Sequence, residues 1–340
     1  MQTNSKHSFA FLVLTYNHEG YIFEHLESIK YLVLTYGAKI DVDLIVNDDC
    51  SGDKTQQRVN QWLHLNAHLF RHIHTLYHPK NIGTCASVHH MLLRLVADRC
   101  KMTAGDDVYS FENIFELTQH EPEVAMLSGR ALYLRGNVLG VDQRSSVLST
   151  ATQVIYKKNS LLHRFKHFSY QNAPNLLYAA PCLLHPKVQD YLQRFDVTED
   201  WPLQVAIARQ FPTLRFQLID AVLVYYRRTA GSTYIVANQR FVKDKILVYN
   251  DLINQEAKWL EQLRLLSRKA CFRMKHKILS KILNLDMYFF AAALLLNLKK
   301  IYSTHSKVNI AVAKHLSHYS QIKQSAEQLQ TQLSNQSCSG

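Results

Sequence analysis

The chain has 340 residues, 47% of them hydrophobic and 19% charged, which excludes a disordered polymer and fits one large domain, or one domain with an appendage. Its 39 Lys and Arg against 27 Asp and Glu leave a net charge of +12, so an anionic partner is expected, though charge does not choose among nucleic acid, a membrane surface and a phosphorylated substrate. The six cysteines include no CxxC pair, which favours reduced thiols and a cytoplasmic protein. No apolar segment behind a basic start marks a secretory signal, and the longest apolar stretch, Met287 to Leu296, falls far short of the ~20 residues that span a bilayer.

Phe9 to Leu14 is an apolar run of strand length that ends at Thr15-Tyr16-Asn17. A helix follows, with Leu26, Ile29, Leu32, Val33 and Tyr36 at helical spacing and Gly37 as its stop. The pentapeptide Leu-Val-Leu-Thr-Tyr recurs at Leu12 and Leu32, once as a strand end and once as a helix end, and is no repeat. Val42 to Asn47 reads as the second strand and Thr55 to Leu65 as the second helix. Ile73 to Tyr77 is the third strand, Thr84 to Ala97 the third helix, and Cys100 to Ala104 a short fourth strand. This alternation predicts an α/β fold with a mainly parallel sheet and right-handed crossovers.

Beyond it, Phe111 to Leu117 reads as a helix and Val124 to Leu127 as a strand. Gly129 to Asn175 gives only weak alternation and is expected to be irregular with short strands. Pro186 to Phe195 looks helical. Thr198 to Arg209 forms another helix, with Thr198 as N-cap and Pro202 in the first turn. Strands at Leu214 to Ile219 and Val222 to Tyr226 precede a change of character near residue 235, after which helices rich in Lys and Arg take over. The polar stretch from Ser325 to Gly340 reads as a fraying helix end.

Three acidic pairs sit at element ends: Asp48-Asp49, Asp106-Asp107 and Glu199-Asp200. A carboxylate can hold a divalent cation that neutralises a diphosphate leaving group, and another can take the proton of an attacking hydroxyl. Each pair alone is more often a helix cap or a solvated turn. Their order along one α/β chain is the stronger signal.

The segments Val13-Leu14-Thr15-Tyr16-Asn17, Val46 to Thr55, Asn81-Ile82-Gly83, Ala104-Gly105-Asp106-Asp107, Thr198 to Leu203 and Val224 to Ser232 together resemble the family 2 glycosyltransferases of GT-A fold, over about residues 8 to 234. The resemblance implies a Rossmann-like GT-A domain at 1–234, with a nucleotide-sugar-binding half at 8–128 and an acceptor-binding half at 129–234. A basic helical region at 235–340 would follow. It implies an inverting hexosyltransferase using a nucleoside-diphosphate sugar, most often a UDP-sugar, on a hydroxyl of a glycan or lipid-linked glycan, as in surface polysaccharide or lipopolysaccharide synthesis. Thr15, Tyr16, Asn17, Asp49, Asn81 and Asp106 would hold the donor. Asp107 would bind Mn²⁺ or Mg²⁺, Asp200 would be the base and Glu199 its reserve.

The chain departs from the family pattern at Ala104, often acidic there, at Val88-His89 where Arg-Asn is frequent, and at Thr229 where many relatives carry histidine. The series His64, His68, His72, His74 and His78 contains zinc-like spacings, but it straddles a predicted helix end and lacks an intervening acid, so surface histidines are expected. The basic C-terminal helices have two readings, docking on an anionic membrane surface or packing on the catalytic domain. A basic nucleic-acid-binding protein and a catalytically degenerate sugar-nucleotide binder stand as alternatives. No nucleic acid is expected on the main reading, which places the protein in the cytoplasm or on the cytoplasmic face of the inner membrane.

Overall fold

The computed structural model describes residues 7–119, 121, 123–169, 171, 173–228, 238–274 and 276–338. Thr229 to Ser232 of the closing motif and the expected boundary near residue 235 lie outside these residues. The alternating apolar runs fold as read: β1 (Ser8–Thr15), α1 (Ile22–Tyr36), β2 (Asp41–Asp48), α2 (Thr55–Asn66), β3 (His72–Tyr77), α3 (Thr84–Leu92) and β4 (Arg99–Ala104). Next come β5 (Val108–Tyr109), α4 (Ile114–Leu117), β6 (Val124–Ser128), β7 (Leu132–Arg135), β8 (Val138–Gly140), α5 (Gln143–Ile155) and α6 (Leu161–Lys166). The order continues with β9 (Leu176–Ala179), α7 (Ala180–Leu184), α8 (Pro186–Leu192), α9 (Asp200–Gln210), β10 (Arg215–Leu218) and β11 (Val224–Arg227). Helices α10 (Asn238–Asn254), α11 (Trp259–Phe272), α12 (Lys277–Ile282), α13 (Leu285–Leu296), α14 (Leu298–His305) and α15 (Val312–Cys338) complete the described chain.

One sheet has seven strands in the order β10-β6-β9-β4-β1-β2-β3. All its pairings are parallel except those of β9, which runs antiparallel between β4 and β6. A second sheet of four strands, β5-β11-β7-β8, stands beside it. Strands β1 and β2 read as continuous apolar runs because both faces are covered. Phe11, Val13, Leu44 and Val46 pack under α1 with Leu26 and Ile29, while Leu12 and Ile45 face the opposite cluster around Val88 and Met91. Strand β1 lies between β2 and β4, so the winding reverses there, and an open α/β sheet offers a crevice outside the strand ends at such a switch point.

Several expectations need correction. Helix α3 ends at Leu92 and α4 begins at Ile114. Gly37 caps α1 in an ordinary right-handed conformation (φ −80°); its lack of a side chain matters because a Cβ would come within 3.3 Å of Val33. The segment 129–175 holds the expected short strands, β7 and β8, but also the helices α5 and α6, which were not expected. Thr198 is not the cap of α9: Glu199 occupies that position without a side-chain bond, and the buried Thr198 hydroxyl has no hydrogen-bond partner among the described residues. The polar stretch expected to fray belongs instead to α15, which buries Ala326 and Leu329 in the core that contains α1.

Candidate functional site

The loops after β1 and β2 are stitched together by short polar side chains. Thr15 donates its hydroxyl to Asp48 Oδ2 (2.8 Å) and to the Asn47 carbonyl (3.1 Å). Asp48, wholly buried, also accepts from the Ser51 amide (2.9 Å), the Ser51 hydroxyl (2.6 Å) and Gln56 Nε2 (2.6 Å). It organises the turn. Asn17 takes a left-handed conformation (φ 56°) that short polar residues tolerate, and its Oδ1 accepts from the Gly52 amide at 2.8 Å. Between them Tyr16 is half exposed, its ring free to meet a ligand.

Asp49 bridges to the next loop. Its two oxygens accept from the amides of Ile82 (2.6 Å) and Gly83 (3.0 Å), and Asn81 Nδ2 donates to its carbonyl (3.3 Å). The structure thus assembles Thr15, Tyr16, Asn17, Asp49 and Asn81 around the carboxyl ends of β1 and β2. Thr15 and Asp49 also spend much of their polar capacity holding the loops in place.

The third strand end brings Asp106 and Asp107. Gly105 precedes them because a Cβ there would stand 2.8 Å from Thr15 Cγ2 and 2.9 Å from Ile22 Cδ1. Asp107 is enclosed: its Oδ1 accepts from the Arg227 amide (2.9 Å). Burial first, then the neighbouring Asp106 charge, drive its carboxyl well above the usual carboxylate range. Asp106 is more open. Among the described residues its carboxylate accepts no hydrogen bond, and His18 Nε2 stands 4.0 Å away. Two adjacent carboxylates, one of which accepts no hydrogen bond among the described residues, fit a hard divalent cation.

Around this turn stand groups that the sequence did not single out. His18, one residue beyond the strand tip, has a buried Nδ1 without a hydrogen-bond partner among the described residues, and desolvation lowers its pKa despite the attraction of Asp106. Arg227 was read only as part of a closing motif. Here it donates Nε to the Asp106 carbonyl (2.6 Å) and Nη2 to Glu24 (2.5 Å), with its guanidinium 4.6 Å from the Tyr21 ring centroid. Lys101, fully buried behind Asp107, donates to the Pro174 and Leu176 carbonyls, and burial brings its pKa down to about 7 against the pull of Asp107. A lysine inside a strand carries no sequence signal for such a position.

Glu199 and Asp200 open α9 and are tied to the loop between β3 and α3. Gly83 is left-handed (φ +88°), and a Cβ there would lie 2.5 Å from Asp196 Oδ1. The Cys85 amide donates to the Asp196 carbonyl (3.0 Å), and Arg240 forms a two-pronged ion pair with the Asp196 carboxylate. Asp244 Oδ2 then gathers the amides of Asp196, Val197 and Thr198 at 3.0, 2.8 and 3.0 Å. Helix α10 therefore clamps the loop that presents the acid pair. Burial, the adjacent Asp200 and the nearby Asp244 raise Glu199 to about 7, Lys245 partly opposing them. The Asp200 carboxylate accepts only from the next amide, Trp201 (2.7 Å), among the described residues.

The histidine series disperses: His72 pairs with Asp43 (3.1 Å) and His78 meets Asn47 (2.7 Å). Among the described residues the group of three metal-capable side chains is His163, His167 and Glu261, with ligand atoms within 4.8 Å of one another, in the C-terminal packing rather than at the strand ends.

No family model matches the sequence, and no curated protein matches it. Solved structures do. The chain is similar to the S. aureus TarS 1–349 structure in complex with UDP-GlcNAc, with a TM-score of 0.55 at 17% identity over 94% of this chain and 92% of that one. The same TarS segment determined without that ligand gives 0.54 at 18% identity, covering 94% and 91%. A mannosyltransferase from Pyrobaculum calidifontis in complex with GDP-Man and Mn²⁺ gives 0.50 at 12% identity, covering 92% and 84%.

Proposed function

Because the chain has the fold of the GT-A glycosyltransferases, we propose that it transfers a sugar from a nucleoside-diphosphate donor, a UDP-sugar first among them, to a hydroxyl of a glycan or lipid-linked glycan. The observation that carries this reading is Asp106: a carboxylate that accepts no hydrogen bond among the described residues, beside Asp107, which the Arg227 amide holds, next to Thr15 at the switch point of the sheet. Tyr16 offers its ring to the base, while Asn17 and Asn81 line the same rim. The printed ligands of the similar structures, UDP-GlcNAc and GDP-Man with Mn²⁺, agree in class with this use of the crevice.

Asp106 would contact a divalent cation, Mn²⁺ or Mg²⁺, with Asp107 behind it, an order reversed from the sequence expectation because Asp107 is enclosed. When bound, that ion neutralises charge developing on the departing diphosphate. Arg227 holds the turn from below through the Asp106 carbonyl and the Asp107 carboxylate. Asp200, half-buried at the start of a helix and bonded only to the Trp201 amide among the described residues, is the base for the acceptor hydroxyl. Glu199, lifted to about 7, sits beside it as the reserve proton acceptor. One base and a displaced diphosphate suffice for a single inverting displacement.

Thermal-shift measurements with UDP-, GDP-, CMP- and dTDP-sugars, with and without Mn²⁺, test the reading. A metal-dependent shift with one of them is expected, and no shift with any overturns it. Asp200→Asn is expected to abolish transfer while leaving that shift intact. A second reading, a degenerate binder, draws on Ala104 and the enclosed Asp107. It predicts the same shift with no turnover by the unaltered chain.

A further inference from the structure

The surface of α11 to α14 is unlike the rest of the molecule. Of the 24 large hydrophobic side chains exposed among the described residues, 15 lie between Trp259 and Tyr302. They fall in stripes at helical spacing. On α11 Trp259, Leu260, Leu263 and Leu266 are exposed while Arg264 and Leu265 are buried; on α13 Tyr288, Phe289, Leu295 and Leu296 are exposed while Asp286 and Phe290 are buried. Each helix therefore spends one face on the protein and leaves an apolar face outward, whereas a soluble surface scatters such side chains singly. Trp259 and Leu296 are 74% and 87% exposed.

Charge identifies the occupant. From Lys258 to Lys307 the sequence carries 11 Lys and Arg against two acids, Glu261 and Asp286, and both acids are consumed internally by Arg264. Arg273, Lys281, Lys299 and Lys300 are left exposed among the apolar stripes. A second copy of the chain would set this basic face against itself in a two-fold contact, which repels. No helix among the described residues is long and apolar enough to cross a membrane, so the stripes are not a spanning segment. Aromatic and aliphatic side chains ringed by lysines suit the boundary between anionic headgroups and acyl chains.

We propose that α11 to α14 form a docking face that lies in the plane of an anionic phospholipid leaflet, with the stripes of α11 and α13 inserted and Lys281, Lys299 and Lys300 on the headgroups. The face is rigidly attached to the α/β body. His167, after α6, sits between Glu261 of α11 and Asp286 of α13, and Arg268 donates to the Lys166 carbonyl (2.6 Å). The Tyr249 ring, near Arg268, also packs 4.9 Å from Trp201, the residue after Asp200. Docking would thus fix the acid pair relative to the leaflet, where a lipid-linked acceptor is anchored. That last consequence rests on the transferase reading; the docking itself does not.

The test is co-sedimentation of the full chain with vesicles of phosphatidylcholine alone or mixed with phosphatidylglycerol, read without turnover so that it stands apart from the donor screen. Binding is expected to the mixed vesicles and to weaken with salt. Lys299→Glu with Lys300→Glu should weaken it roughly tenfold or more, since each basic residue at such a surface contributes about one kcal/mol. Leu295→Ser with Leu296→Ser, both on the solvent side of α13, should also release the protein while leaving its circular dichroism and donor thermal shift unchanged. Equal binding to neutral vesicles, no binding to either, or unaltered binding by both variants overturns the proposal. So does self-association in light scattering that the Leu295/Leu296 variant abolishes, because a second copy would then cover the face.

Discussion

Glu199 lies in an environment that disfavours its charge. Its folded pKa of about 7 stands above the ordinary 4.5, so the native state holds the proton more tightly than the unfolded chain. Stability on this account is complete below the ordinary value and falls as pH rises toward 7. Glu199→Gln removes the penalty: the variant should melt higher than the unaltered protein at about pH 8 and no differently at about pH 4. Equal melting at both ends would mean that the carboxyl is not held protonated. Transfer by the unaltered protein should rise with pH through about 7, as the pair acquires its second charge, and the variant should lose that limb. The carboxylates were legible in the sequence as residue types at element ends. Their different surroundings were not, because the amide that holds Asp107 and leaves Asp106 unbonded belongs to Arg227, 120 residues away from Asp107.

Among the elements, β1 and β2 were readable because strands covered on both faces need nearly uninterrupted apolar runs. Helix α5 was not. Its inner face carries Ser145, Ser149, Thr150 and Thr152, and buried Arg130 donates to Ser149 Oγ (3.0 Å) and Thr150 Oγ1 (2.7 Å). A helix that buries hydroxyls around a guanidinium shows no apolar period. Strand β9 has only four residues and runs against its neighbours, so the alternation of strand and helix gave no place for it. The junction between the donor loop and the acid loop is most exposed to test at Gly83. Gly83→Ala must adopt φ +88° and drive a Cβ toward both Asp196 Oδ1 and the Asp196 carbonyl, which should cost about 1–3 kcal/mol in urea unfolding. Gly136→Ala is the control: it is also left-handed (φ +58°), but nothing lies within 4 Å of its Cβ, so it should cost less. Equal losses would show that strain alone, not the packing of the two loops, sets the penalty.

Across the whole molecule, the C-terminal helices are tied on by charges as well as by apolar contact. Asp286 is buried, yet the His167 hydrogen bond and the Arg268, His167 and Arg264 charges outweigh that burial and bring it down to about 2. Its contribution is present above the ordinary carboxylate range and is lost as pH falls toward 2. Asp286→Ala removes the carboxylate that Arg264, Arg268 and His167 share, leaving Arg264 with Glu261 alone, and should cost about 3 kcal/mol by denaturant unfolding at neutral pH. A loss below about one kcal/mol would mean that water reaches the network and screens it.

Helix α15 returns from this region to the opposite flank of the sheet. His315 Nδ1 lies 3.0 Å from the Tyr225 hydroxyl and its ring stacks on Phe111 at 4.6 Å, while His318 Nε2 meets the Tyr109 carbonyl at 3.3 Å. Strands β5 and β11, which bracket the Asp106–Asp107 turn, are thus covered by residues made long after them. During synthesis the loops after β1, β2 and β3 can close early, but the second sheet keeps an open flank until residues 312–338 have left the ribosome. A nascent chain halted before that point would carry an assembled Asp49 loop beside an unbraced Asp106–Asp107 turn.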